Sequence, residues 1–315
     1  MKTAVQPTEP GRSPGFRSGF VSILGRPNTG KSTLLNTLVG AKIAIVADKP
    51  QTTRTAIQGV VTTSLAQIVF ADTPGIHRAD STINKRMMET VRAALNDRDL
   101  LLFVADASVN VTPKDVEAVD LLKKTGTPAV LALNKIDLVE DKSRLLGHLK
   151  RYRDLHDFAE YVPVSARTGE NLDELRNLIV ARLPEGPVYF PADHVTDQPG
   201  RFLAAELVRE KILLETRHEV PHAIAVLVDK WEETATFIRI FATVYVEKEG
   251  QKRIIIGAGG VKLKRIGTLA RQEMERFFTK RIFLDLHVKV HAEWREKSAF
   301  LDALDWRTMA GKDEV

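Results

Sequence analysis

The chain of 315 residues carries 28% charged and 43% apolar residues and a net charge of +5, an ordinary balance with enough length for two cores. It contains no cysteine, which excludes disulfides and thiolate metal sites and fits a reducing compartment. No stretch approaches the roughly 18 apolar residues of a membrane-spanning helix. Residues 1–18 have three prolines and no apolar core, so they predict a flexible leader rather than a signal peptide.

The first motif has the form G-x-x-x-x-G-K-S and follows the apolar run at 20–24. Glycines let successive backbone N–H groups point at one anion, and the start of the next helix adds partial positive charge. Lys31 can reach the β- and γ-phosphates of a nucleotide, and the Ser32 hydroxyl can ligate Mg²⁺. The nucleotide contacts predicted for this loop are Gly25, Arg26, Pro27, Asn28, Thr29, Gly30, Lys31, Ser32 and Thr33.

Apolar runs alternate with helix-period stretches through residue 183, which predicts a mostly parallel sheet covered on both faces. Helices are predicted over 113–124, where Thr112 and Asp115 form a capping box, and from about 171. Ligands on such sheets bind at the carboxyl ends of the strands, so motif residues should directly follow the runs. The predicted strands are 20–24, 56–62, 67–71, 100–105, 129–133 and 161–164.

Asp72-Thr73-Pro74-Gly75 directly follows the run at 67–71. A carboxylate at Asp72 can hold the Mg²⁺ shell, as the corresponding aspartate of phosphate-loop proteins does. The N–H of Gly75 can meet a γ-phosphate, so this loop can report whether that phosphate is present. In isolation the four residues are also an ordinary turn, and only their position favours function.

A second polar group, Asn134-Lys135-Ile136-Asp137, follows the run at 129–133. The Asp137 carboxylate can accept hydrogen bonds from N1–H and the 2-amino group of guanine, whereas adenine would leave it poorly paired. Such mismatches can discriminate by about 10⁴-fold. Ser165-Ala166 can add a backbone N–H to guanine O6. Together the motifs predict a guanine nucleotide.

With its motifs in this order, residues 20–183 resemble a Ras-type GTPase domain. The resemblance implies a threonine that ligates Mg²⁺ after the first helix, for which Thr53 is favoured over Thr52, and segments at 40–55 and 72–80 that GTP orders. It also implies slow hydrolysis, because Ile76 stands where a water-orienting glutamine is common. In related GTPases an asparagine at the place of Asn28 helps to bind K⁺. Lys31, Thr53, Gly75 and Asn28 are the predicted catalytic residues, with Ser32, Thr53 and Asp72 at the metal.

The remainder predicts a connector over 184–200, a helix over 201–216, two strands at 223–231 and 234–246, a helix to about 280 and a last strand at 282–290. Residues 248–295 hold twelve Lys/Arg against five Asp/Glu, so they carry +7 and favour a polyanion partner. A G-x-x-G loop between helices is how KH domains clamp single-stranded RNA. The predicted RNA contacts are Gly257, Ala258, Gly259, Gly260, Lys262, Lys264 and Arg265.

Residues 18–295 as a whole resemble the Era family of bacterial GTPases, a Ras-like α/β domain followed by a smaller α+β type II KH domain. The resemblance implies GTP and GDP with Mg²⁺, binding of 16S ribosomal RNA near its 3′ end, assistance in 30S subunit assembly, and a cytoplasmic monomer with occasional contact at the inner face of the membrane. One departure is Ala258-Gly259, since family loops commonly carry a basic residue between the glycines.

The domain boundaries predicted from the sequence are a leader at 1–18, a GTPase domain at 19–183, a linker at 184–200, a KH domain at 201–295 and a tail at 296–315. A different function stays open at this point: a regulatory GTPase at the membrane, whose basic C-terminal domain binds anionic lipid or a protein partner. The G-x-x-G loop with a basic helix favours RNA, because a lipid surface would favour a larger exposed apolar face.

Overall fold

A computed structural model describes residues 15–49, 51–76, 80–216, 220 and 223–308. Its larger sheet has the strand order β2-β3-β1-β4-β5-β6, in which β2 is antiparallel to β3 and all other pairs are parallel. The mostly parallel sheet is therefore confirmed. Its strands are β1 Arg17–Leu24, β2 Ile57–Thr62, β3 Ala66–Asp72, β4 Leu100–Asp106, β5 Ala129–Asn134 and β6 Glu160–Pro163.

Five helices cover the two faces of this sheet, because its strands are apolar on both sides. The predicted capping box between Thr112 and Asp115 is present at the start of the third helix. We call the sheet and these helices the nucleotide domain. The helices are α1 Lys31–Val39, α2 Thr82–Ala93, α3 Pro113–Leu122, α4 Ser143–Leu155 and α5 Leu172–Arg182.

The connector after α5 runs along the nucleotide domain. The Gln67 side chain accepts from the backbone N–H groups of Tyr189 and Phe190, and Val60 N–H donates to Val195 O. The Tyr189 ring also contacts Phe20, with ring centroids 5.0 Å apart. These contacts hold the connector against the sheet, so it is not a loose tether between two independent domains.

The C-terminal domain is a three-stranded sheet of order β7-β8-β9 with three helices on one face. Strand β7 is antiparallel to β8, and β9 is parallel to β8. The core lies between the sheet and the helices, where Ile240, Ile266 and Met274 are fully buried. The elements are α6 Gly200–Glu215, β7 Ala225–Glu233, β8 Phe237–Val246, α7 Glu249–Ile256, α8 Val261–Phe278 and β9 Arg281–Val290.

Three details differ from the sequence-based expectations. The predicted order of the C-terminal domain, with a single helix between its second and third strands, is wrong, because helix α7 precedes the glycine loop. Residues 254–256 of α7 are all isoleucine, a run that favours a strand and so hides the helix in the sequence. Strand β1 begins at Arg17, so the predicted leader is two residues too long, because Arg17 and Ser18 pair with β3. The tail forms a helix, α9 Ser298–Ala303.

The tail packs against α2 of the nucleotide domain. Glu296 accepts from the N–H and the hydroxyl of Thr82, and Arg86 forms an ion pair with Asp302 at 2.7 Å. Residues 1–14 of the leader and 309–315 of the tail lie outside the described residues. In the part of the chain that the structure describes, no helix is long and apolar enough to cross a membrane.

Candidate functional site

The loop from Gly25 to Ser32 leaves β1 and enters α1, with Gly30 at the helix N-cap and a φ of 92°. A Cβ at Gly30 would lie 2.3 Å from Asn134 Nδ2, so only glycine lets the loop close against β5. The Lys31 ammonium donates to the backbone oxygens of Gly25 at 3.2 Å and Arg26 at 2.9 Å. The loop therefore wraps around its own lysine.

Burial lowers the pKa of Lys31 to about 8, with the Asp72 carboxylate opposing that shift and the Arg26 guanidinium adding to it. A cation held at such a cost in the protein interior is poised to receive an anion. The phosphates of a nucleotide would restore the pKa, so binding would take up a proton in the range above 8.

We expect the affinity for GDP to fall by up to about tenfold per pH unit as the pH rises from 8, where Lys31 loses its proton in the nucleotide-free protein. Titration calorimetry at several pH values up to about 9 measures this slope. Lys31→Arg keeps its charge throughout this range, so its slope should vanish. A flat curve for the unmodified protein would contradict the assignment of Lys31 to the phosphates.

Three groups predicted at the metal meet at the end of β3. The Ser32 hydroxyl donates to Asp72 Oδ2 at 2.7 Å, Thr53 Oγ1 donates to the same oxygen at 3.2 Å, and the two hydroxyls lie 2.8 Å apart. Burial raises the pKa of Asp72, with Lys31, Ser32 and Thr53 opposing the shift. The second oxygen of Asp72 is buried and has no hydrogen-bond partner among the described residues.

This oxygen-only set fits Mg²⁺, which prefers carboxylate and hydroxyl oxygens and keeps several waters. Asp72 Oδ1 has no partner among the described residues, so it is free to accept a hydrogen bond from such a water or to ligate the ion. The neighbouring Thr52 hydroxyl instead donates to Ala47 O and Lys49 O, at 3.0 and 2.6 Å, and so shapes its own loop. The geometry thus brings Thr53, rather than Thr52, to the site.

A cavity of about 210 Å³ lies over the phosphate loop, lined by Asn28, Lys31, Ser32 and Gly75 and by residues 45–49 and 51–53. A Cβ at Gly75 would lie 2.8 Å from Pro27, so the two loops touch across the cavity. The Thr73 hydroxyl donates to Ile23 O at 2.8 Å, which anchors the second loop, including Pro74, to β1. Residues 77–79 lie outside the described residues, so the predicted segment 72–80 is seen only in part.

Ile76, the residue after Gly75, packs against the apolar core beside β4 and β5. Its N–H donates to Gly25 O at 3.4 Å. A side chain that faces the core and carries no polar atom cannot orient a water molecule. The position therefore supplies no substitute for a water-orienting glutamine.

The residues predicted to recognise the base lie at the carboxyl ends of β5 and β6. Asp137 accepts from the Ser165 hydroxyl at 2.7 Å and pairs with Arg167 at 2.8 Å, so its carboxylate is held in one orientation. Asn134 ties the site together, since its Nδ2 donates to Thr29 O and its Oδ1 accepts from the Ala166 N–H, both at 2.9 Å. The Ala166 N–H, predicted for guanine O6, is thus already paired in the structure, as buried N–H groups generally are.

One charged residue of this site was missed by the sequence reasoning. Asp106, at the end of β4, accepts from Lys135 Nζ at 2.7 Å, and hydrogen bonds from Lys135 and Ser108 outweigh burial and lower its pKa. Lys135 also donates to Asn28 O at 2.7 Å, which holds the phosphate loop from behind. The signal was available, because Asp106 follows a strand-like run as the other motif acids do.

The C-terminal domain touches the switch segment, by which we mean residues 40–49 and 51–55. Arg209 of α6 is 1% exposed, pairs with Glu206, and donates to the backbone oxygens of Gln51 and Thr52, the two residues before Thr53. Its neighbour Glu210 accepts from Val46 N–H at 2.8 Å and from Lys42. Helix α6 thereby holds the backbone next to a predicted metal ligand.

Arg54 of the switch segment also contacts the C-terminal domain, and its side chain is the donor. Its guanidinium donates to Ile224 O at 2.7 Å and lies 5.3 Å from the centroid of the Trp294 ring. Burial, with the nearby Arg209 charge, lowers the pKa of Arg54 to about 9. Two consecutive residues of the switch segment therefore face different domains: Thr53 the nucleotide site, and Arg54 the C-terminal domain.

The predicted RNA loop joins α7 to α8. Gly257, Gly259 and Gly260 have φ values of 73°, 58° and 79°, which side chains rarely adopt, and a Cβ at Gly259 or Gly260 would meet nothing within 4 Å. The loop is open to a ligand. Of its predicted cations, Lys264 and Arg265 are exposed and Lys262 is half-buried, but Arg265 already pairs with Glu215 at 3.0 Å.

Comparison with known proteins places this architecture. Residues 20–135 match the family model described as "50S ribosome-binding GTPase", and residues 219–295 match the KH domain model. GTPase Era of Syntrophus aciditrophicus is 51% identical over 288 residues, which cover 91% of this chain and 94% of that protein. The chain belongs to the GTPase Era family. GTPase Era of Geobacter metallireducens is 48% identical, with 92% and 98% covered.

Two solved Era structures superpose on nearly the whole chain, each with a TM-score of 0.89, 38% identity, and coverage of 92% of this chain and 99% of theirs. One holds Era with MgGDPNP and nucleotides 1506–1542 of 16S ribosomal RNA, and the other is an Aquifex aeolicus Era variant with GDP·AlF4⁻. The present protein is thus a GTPase with a C-terminal KH domain, as its sequence predicts.

Proposed function

We propose that this Era-family GTPase is a GTP-controlled switch that binds the 3′ region of 16S ribosomal RNA and assists assembly of the 30S subunit. The observation that carries the proposal is the contact between α6 and the switch segment. Arg209 holds the carbonyls beside Thr53, and α6 shares one apolar core with α8, whose first residues follow the glycine loop. A change at the nucleotide can therefore reach the RNA loop through packed elements.

In the nucleotide domain, we propose that Lys31 contacts the β- and γ-phosphates, that Ser32 and Thr53 ligate Mg²⁺ and that Asp72 holds a water of its shell. Bound Mg²⁺ neutralises charge on the phosphates during transfer. Gly75 N–H meets the γ-phosphate, and Asp137 selects guanine. When GTP is hydrolysed, the tie between Thr53 and the phosphate loop is lost, and the backbone held by Arg209 is free to shift.

At the C-terminal domain, we propose that the backbone N–H groups of the glycine loop, with Lys262 and Lys264, bind RNA phosphates. Ala258 and Gly259 carry no charge, so the backbone has a larger share than in loops with a basic residue there. The proposed setting is the cytoplasm, with the protein a monomer that contacts the inner face of the membrane on occasion.

The RNA assignment is tested with Gly259→Asp, measured by fluorescence anisotropy on the 16S segment 1506–1542. We expect the affinity to fall about tenfold or more, because a carboxylate would enter a loop that approaches phosphates. The matched control is Gly250→Asp, which adds the same charge in the first turn of α7, where a Cβ meets nothing within 4 Å. Equal affinity for Gly259→Asp and the unmodified protein would refute the loop assignment.

We also propose that K⁺ stimulates hydrolysis through Asn28, which lines the cavity over the phosphate loop. Asn28 has a φ of 64°, so an alternative is that asparagine serves only to shape the loop. Asn28→Gly separates the two roles, because glycine keeps that backbone and removes the side chain. We expect turnover at saturating GTP to be faster in K⁺ than in Na⁺, and the difference to disappear in Asn28→Gly. Equal turnover of the unmodified protein in both salts would dispose of the proposal.

A further inference from the structure

The three-stranded sheet of the C-terminal domain has a second face, opposite its helices. Along β8 and β9 the side chains alternate, and one set enters the core while the other points away from it. The outward set includes three phenylalanines that belong to no described core cluster: Phe237, Phe241 and Phe283. Phe283 is 45% exposed. Exposed aromatic residues grouped on one face are uncommon and mark binding surfaces.

Cations alternate with these rings. In the parallel register of β8 and β9, Phe237 lies beside Arg281 and Arg239 lies beside Phe283, so ring and guanidinium exchange places between these two rows, whereas in the third row Phe241 lies beside Asp285. The Phe241 and Phe283 centroids are 5.8 Å apart at an angle of 56°. Arg239 Cζ lies 6.0 Å from the centroid of Phe237. We call these five residues the outer face.

At the other end of the same sheet surface, the C-terminal segment covers the sheet. Tyr245, further along β8, packs on Phe300 of α9 with ring centroids 5.0 Å apart, and both belong to the small core around Trp294. The C-terminal segment thus buries the aromatic side chain at one end of the sheet. At the end where β9 begins, Phe283 stays exposed and Phe237 and Phe241 stay half-buried, although burying them fully would have been favourable.

Acidic groups are present but fewer than the cations, because Asp229, Glu232 and Asp285 stand against Lys230, Arg239, Arg281 and Lys289. Glu232 of β7 pairs with Lys230 at 2.6 Å and lies 3.7 Å from Arg239, and Asp285 lies 3.5 Å from His287. Lys230 itself stands 6.0 Å from the Phe241 centroid, and Arg281 and Lys289 are exposed on the edge strand β9. The surface therefore combines π-faces with net positive charge.

We infer that the outer face is a second RNA-binding surface, on which unpaired bases stack on Phe241 and Phe283 while Arg239 and Arg281 neutralise the adjoining phosphates. Stacking on aromatic side chains combined with basic groups is how sheets hold single-stranded nucleic acid. An anionic membrane would favour a wider apolar face than three rings interspersed with charged residues. The inference rests on the proposed function only in that the ligand is RNA.

Placement in the fold determines which RNA reaches the outer face. The outer face lies at the start of β9, directly after α8 ends, whereas the glycine loop precedes α8. Helix α8 has 18 residues and so spans about 27 Å. Strand β9 is at the edge of the sheet, so a strand of RNA leaving the glycine loop can pass around it. A short RNA would fill the loop alone, and a longer one would occupy both surfaces.

The test compares two probes on the full-length protein with GDPNP: the 16S segment 1506–1542 and a short oligonucleotide from its 3′ end. The double variant Phe241→Ala, Phe283→Ala is expected to lose about tenfold or more affinity for the long probe and none for the short one. Phe283→Tyr keeps a ring and should keep the affinity. Arg239→Gln should lower the salt dependence of the long probe by about one phosphate contact, a slope change of about 0.7.

Leu214→Ala is the matched control, because Leu214 is also an exposed apolar residue of the C-terminal domain, at 59%, but lies on α6. Unchanged GDP binding by each variant shows that it is folded. If the double variant binds the long probe as the unmodified protein does, while Gly259→Asp loses both probes, the outer face is not an RNA surface although the proposed function stands. If Gly259→Asp also binds both probes normally, the assignment of the glycine loop to RNA fails, independently of the outer face. If the double variant kept its affinity for the long probe and lost binding only to phosphatidylglycerol vesicles, the outer face would be a lipid surface and the inference would be overturned.

Discussion

Asp137→Ala is expected to weaken GDP binding by about 10²- to 10⁴-fold and to remove the preference for guanine. Each hydrogen bond to a charged acceptor contributes about 1.5–3 kcal/mol, and the Asp137 carboxylate is positioned to accept two from the base. Ser165 and Arg167 already hold that carboxylate in place, so little ordering is left for binding to drive. Titration calorimetry with GDP measures the loss.

The role of Asp137 is separated from a general loss of structure by comparing GDP with IDP, which lacks the 2-amino group. The unmodified protein should favour GDP by about tenfold or more, whereas Asp137→Ala should bind the two with similar affinity. Asp173→Ala is the control, since that carboxylate is 90% exposed at the start of α5. An undiminished preference for GDP in Asp137→Ala would exclude this residue as the reader of the base.

Arg209→Met is expected to uncouple RNA binding from the nucleotide and to lower the free energy of unfolding by about 3–5 kcal/mol. The substitution leaves the Glu206 carboxylate without its partner in a nearly buried position, which is costly. It also leaves the carbonyls of Gln51 and Thr52 without their donors. Denaturant unfolding measures the loss of stability, and RNA titrations with GDPNP and with GDP measure the uncoupling.

A double variant tests whether the hydrogen bonds from Arg209 to the switch segment, which we call the clamp, do more than stabilise the fold. Glu206→Leu with Arg209→Met removes both charges, so most of the lost stability should return, while the switch segment stays unclamped. We expect this variant to bind RNA equally in the two nucleotide states. If it regains stability together with full nucleotide dependence, Arg209 is only a structural residue.

The place where the nucleotide motifs meet could be predicted from the sequence, because each motif is contiguous and lies at a strand end. Each motif follows an apolar run, and the parallel sheet brings the ends of β1, β3, β5 and β6 to one edge. The choice of Thr53 over Thr52 came from the family resemblance, and the structure adds the contacts that distinguish the two. Thr52 and Thr53 are chemically equivalent in the sequence, and only the turn that directs Thr52 to Ala47 and Lys49 separates them.

The clamp could not be predicted in the same way. Arg209 and Thr52 are 157 residues apart, and α6 reads as an ordinary amphipathic helix. Buried charged residues on such a helix, Arg209 and Glu210 at 1% exposure each, have no signature in one sequence, because periodicity places them on its rim as readily as in its core. Helix α7 was missed for a related reason, since its triple isoleucine favours a strand locally.

The outer face could not be predicted from the sequence either, because it depends on pairing between distant strands. Alternation along β9 shows that Phe283 and Ile282 face opposite ways, but not which of them meets the helices. Only the register against β8 brings Phe283 beside Arg239 and near Phe241. Long-range pairing therefore decides whether an aromatic residue is core or surface.

Coupling between the nucleotide and the RNA is measured most directly as the affinity of the unmodified protein for the 16S segment 1506–1542, with GDPNP and with GDP at saturating Mg²⁺. The contact of α6 with the switch segment predicts tighter binding with GDPNP, by about 5- to 150-fold, the usual range of coupling between two sites. Equal affinity in the two states would contradict the claim that the C-terminal domain responds to the nucleotide through Thr53 and Arg209.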